Sequence, residues 1–329
     1  MPIVRRSLDS YAGLCYTIFL NKSRRLLGGK ARKRGDCMIL IFGCGILGRH
    51  LLRALPDGGE TIAAVNAHAI SPAQPLSERI VYRVCDVRSG TDLAALAAFC
   101  GSEPLTVYYF AAMHNIDAVF TDPAAAYAVN VDGLRAFLSC GLSIRQLFFA
   151  STDCVYGEND ALHPRFGEDD PLHPINVYGA QKAEAEQIVR AHGFTVLRFP
   201  FLFGPSLCEK PNFYDTSVRK LQSGTPIDMI DGMTRSALSY RTAAQLLVRL
   251  SALPLPAGET INVCGDRGFG KYEIGLLLAE KVGCSASLVH KLSAREGERF
   301  FKDRRADSAC MDNTKLKRML GLQSIELEV

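Results

Sequence analysis

From Met38 onward, short apolar runs alternate with stretches of helical spacing. MILIF (38–42) is apolar without a break, the pattern of a strand covered on both faces. The same reading predicts strands over 61–65, 80–87, 105–112, 147–152 and 194–199. Between them, helices are predicted over 47–55, 92–100, 123–140 and 176–191. Strands alternating with helices imply an α/β fold, a doubly wound parallel sheet with helices on both faces. Beyond Gly204 the alternation loosens into proline, glycine and short elements, and resumes with a strand at 260–265 and a helix at 272–282. A smaller C-terminal lobe facing a substrate is therefore expected over 204–329, partly interleaved with a first domain over 38–203. No period of 20 to 50 residues repeats, which excludes a solenoid.

Charge changes the picture of the first 37 residues. The 329-residue chain carries 38 basic and 34 acidic residues. Nine of the basic residues, against Asp9 and Asp36 only, fall before Met38, and the remainder is net negative. The body therefore offers no general positive field for nucleic acid. Residues 1–37 have the Arg-rich, acid-poor composition of an organelle transit peptide. Met38 stands directly before the first strand, and the stretch is expected to be a poorly ordered basic extension. No run of 18 apolar residues exists, so no membrane span is expected. The eleven cysteines form no C-x-x-C pair and several sit in apolar runs. They read as small buried hydrophobes in a reducing, cytoplasmic setting. Without H-E-x-x-H or clustered cysteines, no metal site is expected.

Gly43-Cys44-Gly45-Ile46-Leu47-Gly48 is G-x-G-x-x-G, placed after a predicted strand and before a helix. In that context Gly43 permits a tight turn, Gly45 lets backbone N–H groups approach a pyrophosphate, and Gly48 allows close helix–strand packing. The helix N-terminus beyond them favours an anion. A Rossmann domain holding NAD or NADP is expected. At the end of the second strand, Asn66 can bond a ribose hydroxyl without repelling a 2′-phosphate. Arg49 or Arg79 could add positive charge, which tilts the reading slightly to NADP. Asp86 and Val87 end the third strand, where the carboxylate could meet the adenine amino group or cap a turn.

Tyr178-Gly-Ala-Gln-Lys182 is Y-x-x-x-K, which places phenol and ammonium on one helix face. A lysine ammonium lowers a tyrosine's pKa towards the working range of a proton donor. The predicted strand ending in Ser151-Thr152 supplies hydroxyls where open α/β sheets bind ligands. Thr152 is expected to bond a substrate oxygen and share its proton with Tyr178. Phe110, Met113, Phe148 and Phe149 read as core rather than as cofactor stackers. Glu184 and Glu186 read as a solvated helix face, and Lys302, Arg304 and Arg305 as a surface loop.

Together these segments resemble the extended short-chain dehydrogenases/reductases, the NAD-dependent epimerase/dehydratase family. The similarity runs from Met38 to about Leu322 and includes FGCGILG, YYFAAMHN, AYAVNVDGLRAFL, STDCVYG, EDDPLHPINVYGAQKAEAE, LRFPFLFGP, GMTRSALSY, TINVCG and MDNTKLKRMLGL. The resemblance implies catalytic Thr152, Tyr178 and Lys182, with Lys182 also bonding the nicotinamide ribose. It implies a cofactor lined by the glycine turn, Asn66, Asp86, Val87, Ala111 and Ala112. Met113, Thr152, Asp153 and Arg235 would meet the substrate, Arg235 at its diphosphate, and Asn130 would support the sheet. Cys154 stands where the family's dehydratases carry a glutamate, which disfavours dehydration. Pro200 replaces an asparagine common before F-G-P. The segment around Tyr178 and the ending DNTKLKRMLGL are nearest to the dTDP-4-dehydrorhamnose reductase branch.

The resemblance implies an oxidoreductase acting at the 4-position of a nucleotide-activated sugar, a 4-keto-sugar reductase first. The alternatives are a 4-epimerase with tightly held NAD, and a catalytically silent NADP-binding regulatory subunit. A homodimer is expected from the relatives' habit of pairing helices across a two-fold axis.

Overall fold

The computed structural model describes residues 38–69 and 77–329. The expectation for residues 1–37 lies outside the described residues. β1 (Met38–Phe42) is an inner strand of a seven-stranded sheet. On one side lie β2 (Thr61–Asn66) and β3 (Ile80–Val84). On the other lie β4 (Leu105–Tyr109), β5 (Ile144–Thr152), β6 (Thr195–Phe199) and finally the strand Thr260–Asn262. Every pairing is parallel. The pleat of β1 explains its unbroken apolarity. Met38, Leu40 and Phe42 enter one core with Val107, Phe137 and Phe149. Ile41 enters the core on the opposite face, with Phe148, Leu197 and Leu247.

Two strands end earlier than the apolar runs suggest. β3 stops at Val84 and β4 at Tyr109. Past β4 the backbone turns out of the ladder, with Phe110 N–H and Ala111 N–H both donating to Phe42 O at 2.7 and 3.0 Å. The predicted helix over 123–140 is three pieces, with a π turn at Ala128–Asp132 between Pro123–Tyr127 and Gly133–Leu138. Such bulges re-aim a side chain, and this one contains Asn130. Its Oδ1 accepts Met113 N–H at 2.8 Å, and its Nδ2 donates to Met113 O at 3.1 Å and Gln181 Oε1 at 2.9 Å. It thus clips the chain beyond β4 to the helix Val177–Ala191.

The C-terminal segments build a second core around Phe203, Leu221, Ile227, Met229, Ile274 and Leu278. Thr234–Arg235 pairs with Phe269–Gly270 and with Ser308–Ala309. Among the described residues no helix is long and apolar enough to cross a membrane, and no group of three or more His, Cys, Asp or Glu could hold a metal ion.

Candidate active site

At the C-terminal ends of β1, β4 and β5 lies a cleft of about 670 Å³. Gly43, Gly45, Ile46, Leu47 and Asn66 line one end. Gly43 has φ +94°, and a Cβ there would lie 2.2 Å from Ala111 N, so the turn and the β4 end can meet only at a glycine. Gly48 faces away from the cleft, and its missing side chain brings Cys44 and Ile41 close, as packing requires. The helix Ile46–Ala54 has no acidic residue in its first turn, which leaves its N-terminus open to an anion. A glycine cradle of this shape beside a free helix N-terminus fits a dinucleotide. Ala111 and Ala112 line the cleft beside it. Asn66 Oδ1 accepts the N–H of Ala67 at 2.9 Å, leaving its amide nitrogen as a donor towards the cleft.

Other expected cofactor contacts lie elsewhere. Asp86 and Val87 do not line the cleft. Asp86 closes its own turn, gripped by Arg88 at 2.6 Å, and that hydrogen bonding pulls its carboxyl down to about 2. Val87 is buried against Gly133. Arg49 donates to Leu207 O at 2.9 Å and Arg79 to Pro56 O at 2.6 Å, so neither guanidinium faces the cleft.

Thr152, Asp153, Cys154 and Tyr178 line the other end. Their approach depends on Gly179, where a Cβ would lie 2.3 Å from Cys154 O. The helix carrying Tyr178 therefore packs directly on the turn after β5. Asn176 caps that helix through Gly179 N–H at 2.8 Å and donates to Arg304 O at 3.1 Å, and Asp303 accepts Val177 N–H at 3.1 Å. Lys182 lies one turn further in and does not line the cleft. Its ammonium stands over the Phe149 ring, and burial brings it down to about 7. Met113 packs with Val119 and Ala126 in the same small cluster as Tyr178, also off the cleft wall.

The expected lowering of the Tyr178 phenol is reversed. Burial pushes it up, and the Cys154 thiol and Asp153 carboxylate push the same way. A desolvated lysine close to neutrality is a weak counter-charge for a buried phenolate. Thr152 Oγ1 donates to Asp153 Oδ1 at 3.0 Å and accepts Cys154 N–H at 3.2 Å. The Cys154 thiol is pushed up to about 12, chiefly by burial, which makes it a poor stand-in for a catalytic glutamate.

Arg235 reaches the cleft with its fork already engaged. Nη1 and Nη2 each donate at 2.7 Å, to Thr234 O and Ala306 O, and Nε lies 3.5 Å from Asp153 Oδ2. Two further cations line the cleft. Arg305 pairs with Asp117 at 2.9 Å, so it is not the surface residue expected from its basic run. Lys271 has no carboxylate partner among the described residues. It sits between the Phe201, Phe213 and Phe301 rings, and burial together with the charges of Arg235 and Arg305 pulls its ammonium down. No motif marks Lys271. The available signal is a basic residue at the first position of a helix, where a cation is disfavoured, directly after a short strand.

Glu186 departs furthest from expectation. It is fully buried beneath the strand end. It accepts Ser151 Oγ at 2.5 Å, Arg198 at 3.0 and 2.7 Å, and Arg190 at 2.9 Å. Arg198 continues to Tyr156 OH at 2.6 Å, and Tyr156 to Asn262 Oδ1 at 2.8 Å. The i, i+4 spacing from Lys182 turns Glu186 inward, because Lys182 itself faces the sheet. Glu184 is half-buried and pairs with Arg135 at 2.7 Å.

A parallel sheet with a glycine turn opening on a helix N-terminus, and Thr152 and Tyr178 on the wall of the same cleft, define an extended short-chain dehydrogenase/reductase. The chain belongs to the RmlD substrate binding domain family, which matches residues 37–328. A dTDP-4-dehydrorhamnose reductase from Aggregatibacter actinomycetemcomitans is 25% identical over 303 residues, 87% of this chain and 94% of the relative. Methionine adenosyltransferase 2 subunit beta from Danio rerio is 36% identical over 226 residues, 67% of this chain and 68% of the relative. Among solved structures, the fold is shared with dTDP-4-dehydrorhamnose reductase from Bacillus anthracis str. Ames in complex with NADP. That match has a TM-score of 0.71 and 18% identity, covering 89% of this chain and 95% of that one.

Proposed function

We propose that the chain is an NAD(P)-dependent oxidoreductase acting at the 4-position of a nucleotide-activated sugar, a reductase of a 4-keto sugar such as dTDP-4-dehydrorhamnose. The observation that carries this reading is the shared cleft, in which the glycine turn and the Thr152–Tyr178 pair face one another. We assign the cofactor half to residues 38–203 and the substrate half to 204–329. Gly43, Gly45, Ile46, Leu47, Asn66, Ala111 and Ala112 would hold the cofactor, which supplies reducing equivalents when bound. Tyr178 delivers a proton to the substrate's C4 oxygen, Thr152 orients that oxygen, and Lys182 supports the phenol from below. Arg235, Lys271 and Arg305 offer positive charge to the diphosphate. With no C-x-x-C pair among its eleven cysteines, we place the enzyme in the cytoplasm, and we assign it a homodimer.

The test is incubation of the purified protein with a dTDP-4-keto-6-deoxy sugar and NADPH. Loss of the reduced nicotinamide absorbance with formation of the 4-hydroxy sugar is the expected result. Inversion at C4 without net consumption of cofactor would assign an epimerase instead.

The 36% identity to a methionine adenosyltransferase subunit favours one second reading, a cofactor-binding regulatory subunit. Tyr178→Phe separates the two. For the enzyme, turnover falls by a factor on the order of 10²–10⁴ while NADPH binding persists. For the regulatory subunit, no turnover exists to lose.

A further inference from the structure

The Asp153 carboxylate sits between the catalytic turn and the substrate-facing lobe with one oxygen unsatisfied. It is 4% exposed. Oδ1 accepts the Thr152 hydroxyl at 3.0 Å and the Cys154 thiol at 3.5 Å. Oδ2 is buried and has no hydrogen-bond partner, since Arg235 Nε at 3.5 Å attracts its charge without the alignment of a hydrogen bond. The groups facing Asp153 are Arg235 from Thr234–Arg235, the Tyr178 phenol from Val177–Ala191, and Thr152 and Cys154 on its own turn. Lys271 and Arg305 add their charge around Arg235.

This arrangement sends the Thr152 proton the wrong way for the reaction. A hydroxyl carries one proton, and here it points at Asp153. A substrate oxygen meeting Thr152 would find lone pairs.

We propose that Asp153 is a positioning residue that sets the direction of the Thr152 hydroxyl, and that an anionic substrate turns it. As a carboxylate, Asp153 accepts the hydrogen bond of the Thr152 hydroxyl. As a carboxylic acid, it donates to Thr152 Oγ1, and the Thr152 proton is released towards the substrate's C4 oxygen. A diphosphate drawn to Arg235 competes for the one cation that favours the carboxylate. Asp153 then takes a proton from solvent, and no other bond is made or broken. Burial already pushes Asp153 upward, with Arg235 as the main opposing charge, so the ion pair holds the balance. The Thr152 donor would then be set only when the diphosphate is seated.

The proposal rests on the nucleotide-sugar reading above. Its test is calorimetric titration of the NADP-loaded protein with thymidine diphosphate, in buffers of different ionisation enthalpy at one pH. Uptake of about one proton per ligand, absent in Asp153→Asn, is the expected result. Uptake that persists in Asp153→Asn, or binding without uptake in the unaltered protein, overturns the switch and leaves the reading of the cleft intact. Failure of thymidine diphosphate to bind at all overturns both. A second readout is turnover at alkaline pH. Asn offers Thr152 a permanent amide donor, so Asp153→Asn should exceed Asp153→Ala by on the order of tenfold in kcat. Equal losses in the two variants would reduce Asp153 to packing.

Discussion

The Lys182 ammonium stands 3.8 Å from the centre of the Phe149 ring, within the sheet side of the catalytic helix. A cation over an aromatic face recovers part of the hydration lost on burial, but only part, and the ammonium is brought down to about 7 from 10.5. The unfolded chain therefore binds more protons than the folded one between those values, and stability at this site rises with pH across the window. The cost of the buried charge is fully present below pH 7. Lys182→Met should raise the melting temperature at pH 6, gain less at pH 9, and abolish turnover. Scanning calorimetry at the two pH values checks it, and a melting point that falls at pH 6 contradicts it.

Glu186 is itself fully buried and balances two guanidiniums, the buried Arg198 and the partly exposed Arg190. Removing one partner from a buried ion pair leaves an uncompensated charge, at a cost of about 3–5 kcal/mol. Glu186→Ala should lose that much in urea unfolding, far above the loss from the solvent-screened Arg135–Glu184 pair. A loss below 1 kcal/mol for Glu186→Ala would show that water enters the network.

Gly179 sets how closely the Tyr178 helix approaches the Thr152 turn. With the added Cβ only 2.3 Å from the Cys154 carbonyl oxygen, Gly179→Ala must move the helix or the turn. A displacement near 1 Å costs on the order of 10²-fold in rate. The expected outcome is a kcat loss of that size with NADPH affinity kept, because the glycine turn lies at the other end of the cleft. Unchanged kcat would mean that the two groups act independently.

Lys271 is the cation in the cleft without a carboxylate of its own. Lys271→Met should raise KM for the nucleotide sugar by roughly 10–100-fold and change kcat little, since the effect is on binding common to ground and transition states. Since burial and the neighbouring guanidiniums lower its affinity for a proton, KM in the unaltered protein should climb with pH sooner than in the variant. Steady-state kinetics across pH measures both.

The sheet was legible because burial on both faces writes itself as uninterrupted apolar runs, as in MILIF. The glycine turn and the Tyr178 pair were legible because their spacing matches one turn or one helix face. What escaped were features that depend on distant partners. Glu186 reads as a surface residue until Arg198, twelve positions on, is brought beneath it by β6. Lys271 opens a helix that the sequence predicts, and Arg305 lies in a loop, but nothing local shows that either reaches the cleft. Asp86 takes the second of its two sequence readings, closing a local turn with Arg88. The reversed Tyr178 shift has the same origin, because sequence spacing sets which groups are neighbours but not how dry their surroundings are.

The strand Thr260–Asn262 comes late in the chain, within the half proposed above for the substrate, yet completes the seven-stranded sheet, pairing with β6 and anchoring the Tyr156–Arg198–Glu186 chain. A fragment ending at residue 203 would thus expose the ladder of β6 as an open border, the kind of surface on which strands from other molecules stack. Swapping substrate halves between relatives, whether by recombination or by design, must keep this three-residue piece with the sheet it completes. The boundary proposed at 203/204 therefore has to be drawn around Thr260–Asn262.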